Sequence, residues 1–310
     1  MSQVLKARRL GALMVCLSLF ALVSAATSAA RSDAADPDLA AMTLAGSDFT
    51  AGAKVLQQRF LKAQKPATAR YVRVFAAGTR LGATRLLALE SEISLFASPS
   101  VAAKQIREFR GALSTSKGRA RFGEAMASGF RQGSKEKLAR VAVSVPVSLG
   151  SGQSSVHASG TFVMEDKSSF SLHFVLVQTD RALSFLLLMP TPGQKLARGD
   201  LRRIGQLQGN RFLQAFTVGN LVAPTLSGTA TPSQSLTASS GDWAGAPTSY
   251  GYQWSRCDST ATTCADIAGA TTATYTVTPE DTGSVLRATV VAKNSVSTSS
   301  TTSAVTAAVA

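Results

Sequence analysis

The chain has 310 residues and is short of several things. It has two histidines, His157 and His173, three cysteines and two tryptophans. With so little histidine, and no HxxxH or HxH spacing, nothing in the order of residues spells out a metal centre or any other cofactor site. The nucleophile elbow G-x-S-x-G is missing, and no Gly-rich phosphate loop precedes a helix, which removes the commonest hydrolase and nucleotide-binding signatures. Before Val222 there is no tryptophan and only one tyrosine, Tyr71. An aromatic-lined sugar cleft is therefore poorly supplied, and the carboxylate pairs Glu90/Glu92 and Glu165/Asp166 do not read as a glycosidase couple. The first reads as a solvated strand face and the second as a turn. Apolar runs of the roughly 20 residues needed to span a bilayer are also missing.

Acid is scarce as well: 18 Asp and Glu stand against 32 Lys and Arg, a net charge of +14. The first 29 residues hold Lys6, Arg8 and Arg9, an apolar run Leu10–Val23, and then "SAATSAA". This is the order of a cleaved secretory signal peptide, expected over residues 1–29; a retained anchor is the alternative. Val15 precedes Cys16 and apolar sequence follows it, so the lipoprotein pattern is not met. An exported chain meets an oxidising exterior, where Cys257 and Cys264 are expected to form a disulfide bond. Such a bond closes a short loop and is worth about 2.5 kcal/mol in the chain-entropy account. Two free thiols are the competing reading.

The charge is unevenly spread. From Val222 onward Arg256, Arg287 and Lys293 face Asp242, Asp258, Asp266, Glu280 and Asp281. The excess of cations therefore lies ahead of that point. A basic exported domain favours anionic partners such as envelope lipid or an anionic polymer. A scattered solubilising surface explains it equally well, because the cations are not clustered in runs.

Composition changes near Val222–Pro224, from charged amphipathic segments to Ser, Thr, Gly and Ala. This predicts a domain over 45–217 and a second over 223–310. In the second, turn formers at Gly228, Pro232, Gly241, Pro247, Gly269 and Gly283 separate short β-prone runs, the pattern of an antiparallel sandwich. "PTLSGTATPSQSLTASSGDWAGAPTSYGYQWSRC", followed by "IAGATTATYTVTPEDTGSVLRATVVAKN", resembles the immunoglobulin-like modules of exported actinobacterial proteins. The resemblance implies that Trp254 is the core tryptophan and that "EDTG" (Glu280 to Gly283) is the turn entering a late strand. It also implies that Leu286, Ala288 and Val290 point inward. It departs from antibody domains in having no cysteine pair between sheets; Cys257 and Cys264 would clamp the connection after the tryptophan strand. Such modules are spacers or contact surfaces for another surface protein.

In the first domain, "SDFTAGAKVLQQRFLKAQ" has helical spacing, with Asp48 as its N-cap. "ARYVRVFAA" and "TRLLALESEISLF" read as strands, the latter with Leu87, Leu89, Ile93 and Leu95 on one face. "SPSVAAKQIREFRGAL" and "RARFGEAMASGFRQ" are expected helices. Four strand-like runs follow, "LARVAVSVPVSLG", "SVHASGTFVMED", "SFSLHFVLVQT" and "ALSFLLLMP". A closing helix bears Leu201, Ile204, Leu207 and Phe212, and Asp200 is placed to cap its second half. The order predicts an α+β fold with helices packed on an antiparallel sheet. Through "YVRVF", "LALESEISLF" and the closing helix after a proline turn, it loosely resembles PsbP-like or sensor-like exported and lipoprotein domains. No functional residue is carried over.

Candidate sites are few. His157 and His173 fall on neighbouring strand patterns and can meet, although two ordinary strand histidines are the simpler reading. "FAAGTRLGATR" places Arg80 and Arg85 beside Gly78 and Gly82, which can hold an anion or form a plain hairpin. The basic stretch Lys117–Arg140 carries Phe122, Met126 and Phe130 as a stripe, either for an anionic membrane surface or for its own core. The better-supported reading is the core. The expected function is a non-enzymatic exported binding protein with an apolar or anionic ligand in its α+β domain. The alternatives are an adhesion or structural interaction protein without a pocket and, less favoured, an envelope hydrolase. No catalytic residue, metal site, cofactor or nucleic-acid partner is expected.

Overall fold

The computed structural model describes residues 38–49, 52–150 and 154–310. The expected signal peptide lies outside the described residues. The chain forms two compact units, Asp38–Phe212 and Leu213–Ala310.

The first unit is α+β. Its nine-stranded antiparallel sheet consists of β1 (Val55–Leu61), β2 (Ala67–Phe75), β3 (Arg80–Leu81), β4 (Thr84–Phe96), β5 (Leu138–Val143), β6 (Val147–Ser148), β7 (Ser154–Met164), β8 (Ser169–Thr179) and β9 (Ala182–Pro190). The strand order is β1-β2-β4-β9-β8-β7-β5, with β3 on β4 and β6 on β7. The helices are α1 (Leu39–Met42), α2 (Pro99–Ser114), α3 (Ser116–Gly133) and α4 (Arg198–Phe216).

Helices cover both faces of the sheet. On one face Ile106 of α2, with Met126 and Phe130 of α3, packs on Val156, Phe162, Leu172, Phe174, Leu176 and Leu187. The stripe Phe122–Met126–Phe130 is thus largely spent on the protein's own core. The opposite face buries Leu89, Ile93, Leu95, Val175, Val177, Leu186 and Leu188. α4 lies on it, burying Leu201, Ile204 and Phe212. The fully buried Gln208 of α4 donates to the Met42 carbonyl at 2.7 Å and accepts from the Ser91 hydroxyl at 3.4 Å.

Four expectations are corrected. The segment with helical spacing around Val55–Leu61 is an edge strand, paired antiparallel with β2 from Val55↔Phe75 to Leu61↔Arg70. The open edge of β2 offers a row of backbone partners, and Phe60 stacks edge-on against Tyr71 at 5.0 Å. Cross-strand gains of this kind outweigh a weak local helical preference. Asp48 accordingly caps no long helix. It ends the 3-10 turn Gly46–Asp48, accepts the Ala45 N–H at 2.7 Å and forms a forked ion pair with Arg211 at 2.7 Å. Leu87 packs with the α2–α3 side rather than beside Leu89, because a bulge between Leu86 and Ala88 turns it over. Asp200 stands in the first turn of α4, not midway, where its carboxylate accepts the Thr84 hydroxyl at 2.9 Å.

The run Leu138–Gly150 becomes two strands, β5 and β6, interrupted by Ser144–Pro146. Proline cannot donate to a ladder; here Ser144 bridges the break, exchanging 2.8 Å bonds with the backbone of Ser159. At the α2–α3 joint, Ser98 caps α2 and the Thr115 hydroxyl accepts the Gly118 N–H at 3.0 Å to start α3. A Cβ at Gly118 would collide with the Ala112 carbonyl, so this corner requires glycine.

The second unit is all-β. β10 (Gly219–Val222) pairs β13 (Asp242–Ala244). A three-stranded sheet joins β11 (Leu226–Ser227), β12 (Ser235–Ala238) and β16 (Thr274–Thr276). A four-stranded sheet runs β15 (Cys264–Asp266), β14 (Ser249–Cys257), β17 (Val285–Lys293), β18 (Thr298–Thr302). Both larger sheets contribute to one core of Leu236, Ala238, Trp254, Val277, Leu286 and Ala288. Trp254 is fully enclosed, with its indole N–H donated to the Thr272 carbonyl at 2.9 Å. Leu286, Ala288 and Val290 are all buried.

Cys257 and Cys264 are bonded, with Cα atoms 4.0 Å apart, as directly opposed residues of β14 and β15. Inside the loop they close, the Asp258 carboxylate accepts from the Thr260 hydroxyl and the N–H groups of Thr260, Thr262 and Thr263 at 2.7–3.0 Å. Those bonds, the Thr260 hydroxyl foremost, hold its pKa well below the usual carboxylate range.

Candidate functional site

The α2–α3 corner carries an open groove of about 460 Å³. Its floor is Phe109, Ala112 and Leu113 from the end of α2 and Phe122 from α3, with Lys117 and Arg121 at the rim. The floor reaches the sheet through edge-on rings: Phe109 to Phe122 at 6.0 Å, and Phe122 to Phe174 at 5.5 Å. Leu113 is buried, Phe109 and Phe122 are half-buried, and Lys117 and Arg121 are exposed. Arg119 turns inward to close the end of α2, donating to the carbonyls of Leu113 and Ser114 at 3.0 and 2.9 Å. From Pro99 to Arg140 there are ten Lys and Arg against three Glu. Two of those glutamates face Lys104 and Arg131 on solvent. The volume is that of a small-ligand site, and its chemistry combines apolar contact with cationic recognition.

Lys117, Phe122 and Arg121 stand out in sequence as a basic amphipathic stretch. Phe109, Ala112 and Leu113 do not, because only the tight turn at Thr115 folds them against α3. Arg80 and Arg85 occupy opposed positions of the β3–β4 hairpin, both exposed. Asp200 leans on this hairpin through Thr84.

Glu90 is buried, which corrects the expectation of a solvated face. Both sides of the sheet are covered, and the polar residues of β4 meet cations from neighbouring strands instead of water. Arg70 holds Glu92 through Nε at 2.8 Å and Nη2 at 2.6 Å, both side chains being largely enclosed. Glu90 is left to desolvation, which with repulsion from Glu92 pushes its pKa to about 7; Arg59 pulls the other way. Glu165 and Asp166 form the β7–β8 turn as expected, with Asp166 accepting the Ser168 N–H at 2.9 Å.

His157 and His173 do meet, Nε2 to Nδ1 at 3.0 Å, on the α4 face of the sheet. Their mutual hydrogen bond replaces the serine or carboxylate partner that a hydrolytic base would need. Desolvation lowers both to about 4, helped for His173 by His157.

Among the described residues no helix is long and apolar enough to cross a membrane, and the disulfide is compatible with an extracytoplasmic location. No family model matches the chain, and no curated protein is significantly similar to it.

Proposed function

We propose that the protein is an exported, non-enzymatic envelope-binding protein that engages anionic phospholipid at the α2–α3 corner. On this reading its all-β unit is an immunoglobulin-like spacer or contact module and its first unit a PsbP-like sandwich. The observation that carries the proposal is the pairing of a phenylalanine and leucine floor with a Lys117/Arg121 rim on a strongly basic stretch of the chain. An anionic polymer would use the cations but has no need of the apolar floor. A lipid uses both, with acyl chain against Phe109 and Phe122 and phosphate against Lys117 and Arg121.

The test is flotation of the full chain with vesicles of phosphatidylglycerol or phosphatidylcholine. The protein is expected to float with the anionic vesicles only. Binding should weaken with salt and be lost in the double variant Lys117→Glu/Arg121→Glu, both of whose sites are exposed. Equal recovery with the two lipids, or no effect of the double variant, overturns the proposal.

A second reading, an interaction protein, is favoured by one observation. The edge strand β1 exposes Leu56 and Phe60 beside its unpaired backbone, a surface suited to strand addition.

A further inference from the structure

The hydrogen bond between the two histidines is in line, and that geometry sets two imidazole nitrogens directly against each other. The ring centres are 5.3 Å apart and the planes 15° from parallel. With nitrogens 3.0 Å apart, the excess is about one ring's width. The rings therefore lie end to end in nearly one plane, each nitrogen aimed at the other. Strand register sets this up: His157 stands opposite Val175 and His173 opposite Ser159, making the two side chains diagonal neighbours on one face. Around them are the hydroxyl pair Thr161–Ser171 at 3.0 Å and the exposed Val147, which is opposite His157 on β6. Among the described residues no group of three or more His, Cys, Asp or Glu could share an ion. Burial keeps both imidazoles neutral at neutral pH, with a lone pair each to offer.

We propose that His157 and His173 form a two-coordinate site for monovalent copper, Cu(I), which takes the place of the proton between the two rings. The ligand set narrows the choice of ion. Structural zinc takes four ligands. Calcium and magnesium take several oxygens, carboxylates foremost. Imidazole suits copper, and two neutral nitrogens opposed on one line match the linear coordination of a filled-shell monovalent ion. With metal–nitrogen bonds of about 2 Å, the nitrogens part to about 4 Å. That requires a small rotation of two half-buried side chains toward the side where Val147 is exposed. The displaced proton moves to the far nitrogen of its own ring through water. Both imidazoles stay neutral, no net proton is released at neutral pH, and copper keeps its oxidation state.

The experiment is an anaerobic titration of the full chain with Cu(I) against a chromogenic chelator, repeated with Ag(I) as a redox-silent probe. X-ray absorption is measured on the copper-loaded protein. One ion per chain is expected, with two nitrogen neighbours and no sulfur. His157→Gln and His173→Gln should each weaken binding at least tenfold while leaving the melting transition cooperative. Should a variant fail to fold, the absorption spectrum of the unsubstituted protein decides by itself. Sulfur neighbours, three or more nitrogens, affinity unchanged in both variants, or no ion retained would each overturn the proposal.

Discussion

Glu90 in the first unit and Asp281 in the second are both buried carboxylates, and they titrate in opposite directions. Asp281 is enclosed completely, yet it accepts from Arg256 Nε and Nη2 at 2.7 and 2.6 Å, the Tyr275 hydroxyl at 2.8 Å, and the Thr278 N–H and hydroxyl at 2.8 and 3.1 Å. Burial alone would raise its pKa, but those donors overcome it and hold it below the usual value. Glu90 is also desolvated, and no such set of donors reaches it among the described residues. Its neighbour Glu92 has the Arg70 fork to itself, and Glu90 is pushed up to about 7. Burial therefore does not decide the charge of an acid; the count of donors that reach it does. Asp281 is a strut of the second unit, fastening β14 to the turn that enters β17. Glu90 is a weak point of the first.

Substituting the strut should produce the largest effect. Asp281→Ala leaves Arg256, Tyr275 and Thr278 without their shared acceptor and is expected to destabilise the second unit by about 3–4 kcal/mol. Denaturant unfolding followed through Trp254 checks this, and a loss below about 1 kcal/mol would mean that Asp281 and Glu90 are not opposites after all.

Glu90→Gln should act the other way. A pKa raised from 4.5 to about 7 means that the folded state holds the proton more tightly. Stability is therefore fully present below about pH 4.5 and is lost as pH rises through 7. The variant is expected to be more stable than the parent at pH 8 by about 3 kcal/mol, with the gain vanishing near pH 4.5. Melting of both proteins across that range tests it; a gain that does not depend on pH would show that the carboxylate is not protonated by burial.

Opening the disulfide loop with Cys257→Ser/Cys264→Ser should cost the second unit about 2.5 kcal/mol. The first unit should be unaffected, as two-transition unfolding would show. At pH 8, where Glu90→Gln gains most, the smallest effect belongs to the histidines, which are neutral there folded and unfolded alike. Their pKa values fall from 6.5 to about 4, so stability is present above pH 6.5 and declines as pH drops toward 4. The double variant His157→Gln/His173→Gln should flatten that acid-side slope, opposite in sign to the slope that Glu90→Gln removes.

Much of this architecture was legible along the chain, and the misses share a cause. Alternation marked β2, β4, β7, β8 and β9, and apolar residues at helical spacing marked α2 and α3, because period is local. Val55–Leu61 misled because an edge strand open to solvent can tolerate helical spacing, and only the free edge of β2 shows why it is extended. Leu87 misled because a bulge changes the face of a residue without changing its neighbours in sequence. Glu90 and Glu92 looked like a wet face; Arg59 and Arg70, which meet them, come from other strands. The groove joins residues 109–113 to 117–122 across a one-residue joint, so its cations were visible and its floor was not.

Residue order alone determined the split between a basic mixed region and a nearly neutral β-rich one, and the nearness of Cys257 to Cys264. Each of these follows from composition, period or short separation, which act within one or two turns of chain. The burial of Glu90, the end-to-end approach of His157 and His173, and the groove under Lys117 and Arg121 were decided only by tertiary structure. They depend on the register between strands and on the helices that cover each face, and those contacts join residues whose separation along the chain carries no local pattern.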